Sequence, residues 1–476
     1  MKFLLISVLP ALCAASISCA SRNPENNANR EGDMPQLPKT GMIHETIRVI
    51  KHSEFSYALY LPAAISSIES GVRNNPGSES RYPVILAFDP HGNGLIPVKK
   101  YRELAEKYGF ILIGSNDSRN GLPGDQVSTI LSAMFEEIEN WYPVDSGQFY
   151  TMGFSGGARV SCIAAMMNHG VKGVIGCGAG FPQGQQPPLY KFDYFGMVGT
   201  ADFNLNEMMV LDSMLTILGL RHFIATFNGS HEWPPAGRME DAIQWNILNA
   251  MKDNRLNKDE QQIKQILASF SDRIGAAKQA KQLMEAAGLC KEAIQFSTGL
   301  TSPEIFKTEL REVEQLSEYR KQAAYHLNIL KKEQKEQQFL MNALFTQDLT
   351  WWSDRIKKLS ARGMKNNPED TLMNARLRSF LSLLCYSNVN AAMKQQKNDM
   401  AEKLTGVYQL ADPANPEANY LYAVILIQRN DTTMAIRQLQ AAISKGFSDK
   451  GRLLSQTEFE GIKKTPSFFD LVQKMK

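Results

Sequence analysis

Between residues 151 and 160 the chain reads TMGFSGGARV, placing Ser155 among glycines at the end of an apolar run. A serine hydroxyl is a weak nucleophile at neutral pH, so it needs a base to take its proton and an acid to orient that base. Downstream, Asp202 follows the apolar run 195–199, and His231 follows the run 223–227. A reaction passing through an oxyanion also needs inward-facing amides. Gly156, next to the serine, offers one, and His91 or Gly92 in the stretch DPHGNG (89–94) offers another. Together these residue types suit acyl transfer from an activated serine, with Ser155 as nucleophile, His231 as base and Asp202 as acid.

That chemistry requires elements that bring distant residues to one edge. Between residues 41 and 252, short β-type runs alternate with amphipathic runs, the pattern of an α/β domain with a mostly parallel sheet. Strands are expected at 46–50, 56–61, 84–88, 110–114, 149–152, 173–176, 195–199 and 223–227, and helices at 98–108, 125–141 and 158–168. Ser155 then sits at a strand-to-helix turn, where small neighbours permit a sharp, strained backbone and the helix N-terminus favours an anion. Asp202 and His231 lie just past successive strand ends, where loops converge on the active edge of such a sheet.

Competing readings surround these positions. Asp193 and Glu207 are alternative acids, and Asn204 either shapes the Asp202 loop or makes a turn. Trp233, after Glu232, either walls a substrate site or packs against an outer helix. Asn116 and Arg119, in the loop after the fourth strand, either touch a polar substrate or serve a hydrogen-bonded loop. His44, His52, His169, His222 and His326 read as surface or packing residues.

The segments DPHGNG, VDSGQFYTMGFSGGA, VGTADFN and NGSHEWP give residues 41–252 a resemblance to α/β-hydrolases of the secreted esterase type, similar to polyhydroxyalkanoate depolymerase-like and feruloyl-esterase-like proteins. The resemblance implies ester hydrolysis through an acyl-enzyme, with no metal or organic cofactor, and a structural role for Asp145. An ester-bearing small molecule or glycan is the implied substrate. Peptidase or amidase activity on the same triad is the nearest alternative. A scaffold with a non-catalytic hydrolase domain is a second.

At 476 residues the chain exceeds one typical domain. From 253 to 476 the pattern becomes helical throughout, with long helices expected over 260–287 and 317–344. Met400-Ala401 recurs 34 residues on as Met434-Ala435, and Ala423, Leu439 and Ala442 supply small or apolar positions for close helix packing. This all-α half resembles tetratricopeptide repeats, a class that binds protein or peptide partners.

At the N-terminus, Lys2 and an apolar run precede SISC (16–19), which resembles a bacterial lipoprotein signal; Ser16 stands where Leu is usual. Residues 1–18 are the expected signal, Cys19 the lipidation site and 19–40 a flexible linker. The expected location is the cell envelope, lipid-anchored in the periplasm or on the outer membrane, or else soluble in the periplasm or secreted. A formal charge of +3, mixed in sign, argues against a nucleic-acid surface. Cys162, Cys177, Cys290 and Cys385 form no C-x-x-C pair and read as small core residues, although an oxidising compartment permits a Cys162–Cys177 bridge.

Overall fold

The structure, a computed structural model, describes residues 38–65, 81–182, 191–362 and 367–475. The signal segment, Cys19 and the linker up to residue 37 lie outside the described residues. The described chain forms two compact units, 38–324 and 325–475.

The first unit is built on one eight-stranded sheet. Its strands are β1 (Ile43–Arg48), β2 (Ser56–Tyr60), β3 (Tyr82–Phe88), β4 (Ile111–Ser115), β5 (Val144–Phe154), β6 (Val171–Cys177), β7 (Asp193–Gly199) and β8 (His222–Phe227), in the order β1-β2-β4-β3-β5-β6-β7-β8. β1 pairs antiparallel with β2 and β2 antiparallel with β4, while the remaining neighbours are parallel. Strand β7, parallel to both its neighbours, is buried along its whole length, as a strand covered on both faces must be. Helices α1 (Leu95–Tyr108), α2 (Gly124–Trp141), α3 (Gly156–Met167), α4 (Leu205–Ile217) and α5 (Ala236–Lys252) connect or follow the strands.

Register decides where the chemistry meets. Phe88 of β3 lies beside Gly153 of β5, Phe154 beside Cys177 of β6, Cys177 beside Met197 of β7, and Gly199 beside Phe227 of β8. The strands therefore end nearly level, and the loops after β3, β5, β7 and β8 open on one edge.

The first unit runs past residue 253, where the sequence changes to helical spacing. Helices α6 (Glu260–Gln279), α7 (Leu283–Ser297) and α8 (Glu304–Gln315) share the sheet's own hydrophobic core. Phe296 packs with its ring 4.8 Å from Phe270 and 6.5 Å from Phe195 of β7. A buried ion network joins the same helices: Arg238 of α5 contacts Asp241 and donates to Glu292 of α7 at 3.1 Å, and Arg273 of α6 donates to Asp241 at 2.8 Å. Removing one member would strand a buried charge, so the network fixes which faces meet. The expected single helix over 260–287 is two, broken where Lys281 takes a left-handed φ of 57° that no glycine or proline announces.

The second unit begins within α9 (Ser317–Thr346) and continues with α10 (Leu349–Arg362), α11 (Pro368–Lys394), α12 (Asn398–Ala411), α13 (Pro416–Gln428), α14 (Thr432–Ser444), α15 (Lys450–Ser455) and α16 (Pro466–Lys474). It has a separate core, in which Ala401, Ala423, Ala435, Leu439 and Ala442 are all buried. Inside it Arg376 donates to Glu333 at 2.9 Å, both fully buried.

Candidate active site

The turn after β5 holds Ser155 at φ 53° and ψ −120°, a conformation that costs a non-glycine residue of order 1–3 kcal/mol. Backbone bonds hold it there: Ser155 N–H donates to Cys177 O at 2.8 Å, and Ser155 O accepts from Ala158 N–H at 3.0 Å. Its hydroxyl does not cap α3 and is free for another partner. The glycines explain how the turn fits. A Cβ on Gly153 would lie 2.1 Å from Gly157 O, and one on Gly157 would lie 2.0 Å from Phe88 O, both rigid backbone atoms. Gly157→Ala is therefore expected to destabilise the first unit by about 2–3 kcal/mol through overpacking. Thermal unfolding checks this, and an unchanged melting temperature would count against so tight a contact.

The Ser155 hydroxyl oxygen lies 2.9 Å from His231 Nε2, and His231 Nδ1 lies 2.9 Å from both carboxylate oxygens of Asp202. A carboxylate only accepts, so Nδ1 carries the hydrogen and Nε2 is left to accept from the serine. Asp202 is 1% exposed and His231 20%. The imidazole is clasped between Phe154 and Phe203, with ring centroids at 4.6 and 4.3 Å. Asn204 steadies the acid: its N–H donates to Asp202 Oδ1 at 2.8 Å, and its side chain donates to Gly178 O at 2.7 Å.

The competing acids are engaged elsewhere. Asp193 starts β7 at the opposite edge of the sheet, ion-paired with Arg221 at 3.0 Å, and burial pushes its carboxyl up to about 6. Glu207 pairs with Arg159 at 2.8 Å and accepts from Gly180 N–H at 3.1 Å, bracing the loop after β6. Asn116 is structural, its Oδ1 accepting from Gly94 N–H at 3.2 Å. Asp145 likewise closes a local turn onto Gly147 N–H at 2.8 Å.

The loop after β3 differs from expectation. His91 N–H donates to Asp89 Oδ1 at 2.9 Å and Gly92 N–H donates to Asp89 O at 3.1 Å. Both amides expected to face an oxyanion are thus turned back on their own loop, because Asp89 organises it from within. Asp89 also accepts from Trp233 Nε1 at 3.0 Å, tying this loop to the one carrying His231. Burial works against its charge, but the hydrogen bonds from His91 and Trp233 hold the carboxyl below its ordinary range. Trp233 is buried, 5.9 Å from Tyr101 of α1 and 5.7 Å from Phe154, so it is core rather than substrate wall. Gly156 stands at the start of α3, where first-turn amides have no partner within the helix.

Cys162 and Cys177 are both free and buried, and burial pushes both thiols well up. Among the described residues no cluster of three or more His, Cys, Asp or Glu suits a metal ion.

Fold and site together define a class: an α/β-hydrolase fold, with a serine at the turn after β5 in hydrogen-bonded reach of a histidine and a buried aspartate. No protein-family model matches the chain, and comparison with curated proteins finds no match. Among solved structures the chain is similar to an S-formylglutathione hydrolase from Staphylococcus aureus, at 11% identity and TM-score 0.35, over 45% of this chain and 100% of that one. It is also similar to a ferulic acid esterase, at 15% identity and TM-score 0.32, over 42% and 94%. An esterase from Pyrobaculum calidifontis matches at 13% identity and TM-score 0.31, over 40% and 78%. The fold assignment rests on this chain's own strand order, and the activities are those proteins' own.

Proposed function

We propose that the first unit is a serine hydrolase that cleaves carboxylic esters through an acyl-enzyme. The observation that carries this reading is the unbroken series Asp202, His231, Ser155, with both links at 2.9 Å. In the proposed cycle Ser155 Oγ attacks the ester carbon as its proton passes to His231 Nε2, and the carbonyl electron pair moves onto oxygen. Gly156 N–H stabilises that oxyanion, and Asp202 holds the imidazolium. Collapse expels the alcohol, which takes the proton from His231. Water then repeats the sequence on the acyl-serine and releases the acid. Carbohydrate-linked acyl esters are the proposed substrate class.

Incubation of the folded protein with a fluorophosphonate, followed by mapping of the modified peptide, tests the reading. Modification at Ser155 is expected, and folded protein left unmodified there would overturn it. A panel of paired esters and amides then separates esterase from amidase, since the triad serves both.

For the second unit we propose a tetratricopeptide-like role in binding a protein or peptide. Support comes from its separate core and from α12 and α14, whose first residues, Asn398 and Thr432, stand in the same 34-residue offset as the sequence echo. We further propose that Cys19 is lipidated and anchors the protein in the cell envelope. Cys19→Ala is expected to move it from the membrane pellet to the soluble fraction, and unchanged pelleting would count against the anchor.

A further inference from the structure

With His91 and Gly92 amides both committed to Asp89, Gly156 N–H is the one left of the three expected donors, and one donor is few for a charge developing in a serine hydrolase. Another polar group lies beside the Cα of Gly156. Asn120 belongs to the loop after β4, and that loop is pinned against the loop after β3. Asn120 N–H donates to Pro90 O at 2.8 Å, and Arg119 forms an isolated antiparallel bridge with His91. Gly121, at φ 85°, turns the chain directly afterwards. The Asn120 side chain is laid against the nucleophile turn. A Cβ on Gly156 would lie 1.7 Å from Asn120 Oδ1, 2.8 Å from its Cγ and 3.2 Å from its Nδ2. The carboxamide therefore occupies the space that any other residue at 156 would fill.

The nearby carboxamides of Asn116 and Asn204 are spent on structural hydrogen bonds. That of Asn120 has no hydrogen-bond partner among the described residues. Its donor is thus unspent, and the two ends of a carboxamide exchange by a half-turn about the terminal torsion, so either can be presented to a ligand.

We propose that the Asn120 side chain is the second oxyanion donor, acting with Gly156 N–H on the tetrahedral intermediate formed at Ser155; this rests on the serine-hydrolase reading above. As Ser155 Oγ bonds to the ester carbon, the carbonyl π pair moves onto oxygen. Asn120 Nδ2–H and Gly156 N–H then donate to that oxygen. When the pair returns, the C–O bond to the alcohol breaks, and both donors are released unchanged. Because a ground-state carbonyl carries less charge than the oxyanion, the contribution falls on kcat more than on KM. The glycine at 156 has a second purpose in this arrangement: it admits the carboxamide to the site.

The test uses the full-length protein with 4-nitrophenyl butyrate as probe ester, comparing wild type, Asn120→Ala and Asn120→Asp. Asn120→Asp keeps the shape and the turn while removing the donor and adding negative charge. Both variants are expected to lose about 10²–10³-fold in kcat, with KM within about threefold and an unchanged melting temperature. If wild type hydrolyses the ester and is labelled at Ser155 while both variants keep kcat within about threefold, Asn120 is not a donor and the serine-hydrolase reading stands. A loss confined to KM, or one that tracks loss of folded protein in both variants, overturns the assignment equally. Wild type that neither hydrolyses nor labels overturns the underlying reading and this one with it.

Discussion

Ser155→Ala is expected to lower kcat/KM on a 4-nitrophenyl ester by about 10⁴-fold or more and to abolish fluorophosphonate labelling, while the protein stays folded. The size reflects the part the hydroxyl plays in the proposed cycle. It is the only atom that bonds to the substrate, so its loss removes the covalent route. What remains is binding and oxyanion stabilisation, which in such triads still exceed water by about 10³–10⁴-fold. Stability is spared because the turn is held by backbone bonds from Ser155 to Cys177 and Ala158, which alanine keeps, and because the hydroxyl caps no helix. Near-identical circular dichroism and melting curves are the control. Labelling that persists in folded Ser155→Ala would remove Ser155 from the mechanism.

Asp202→Asn is expected to lower kcat by about 10⁴-fold with KM little changed. His231 Nδ1 stands 2.9 Å from both Asp202 oxygens, and that pairing sets the tautomer. A carboxamide presenting its NH₂ would reverse the pairing, placing the imidazole hydrogen on Nε2, where it cannot accept the serine proton. Neither competing carboxylate can substitute. Glu207 is held by Arg159 and Asp193 lies at the far edge with Arg221. Asp202 is also fully buried, so solvent does not compensate for the change. Pre-steady-state kinetics on the same ester check this, with acylation slowed and labelling of Ser155 slowed in parallel. A variant within about tenfold of wild type would transfer the acid role elsewhere.

Much of the arrangement is legible in the sequence because parallel strands impose order on the loops at their ends. Each of the eight expected strands has a counterpart, and Ser155, Asp202 and His231 need only strand ends to be recognised. Helix α4 is harder to see. Leu205, Met208, Leu211 and Leu215 are buried, but Val210 and Ile217 are exposed, so apolar residues surround the helix without a clear period. The extent of the first unit is hidden for a related reason. An amphipathic helix announces that one face will be covered but not by what, and α6 to α8 are covered by the sheet's core.

Local spacing and residue size alone set the alternation of strands and helices, the glycines that let a serine occupy a strained turn, and the chain order of nucleophile, acid and base. Contacts between distant segments set the rest. Asp89 draws the His91 and Gly92 amides away from the site, Trp233 is a buried link between two loops, and Asn120 rests on Gly156. Each of these joins loops from different strands or closes a loop on itself. Their geometry depends on strand register and on which of several hydrogen bonds closes first, and neither is carried by the local pattern of any one segment.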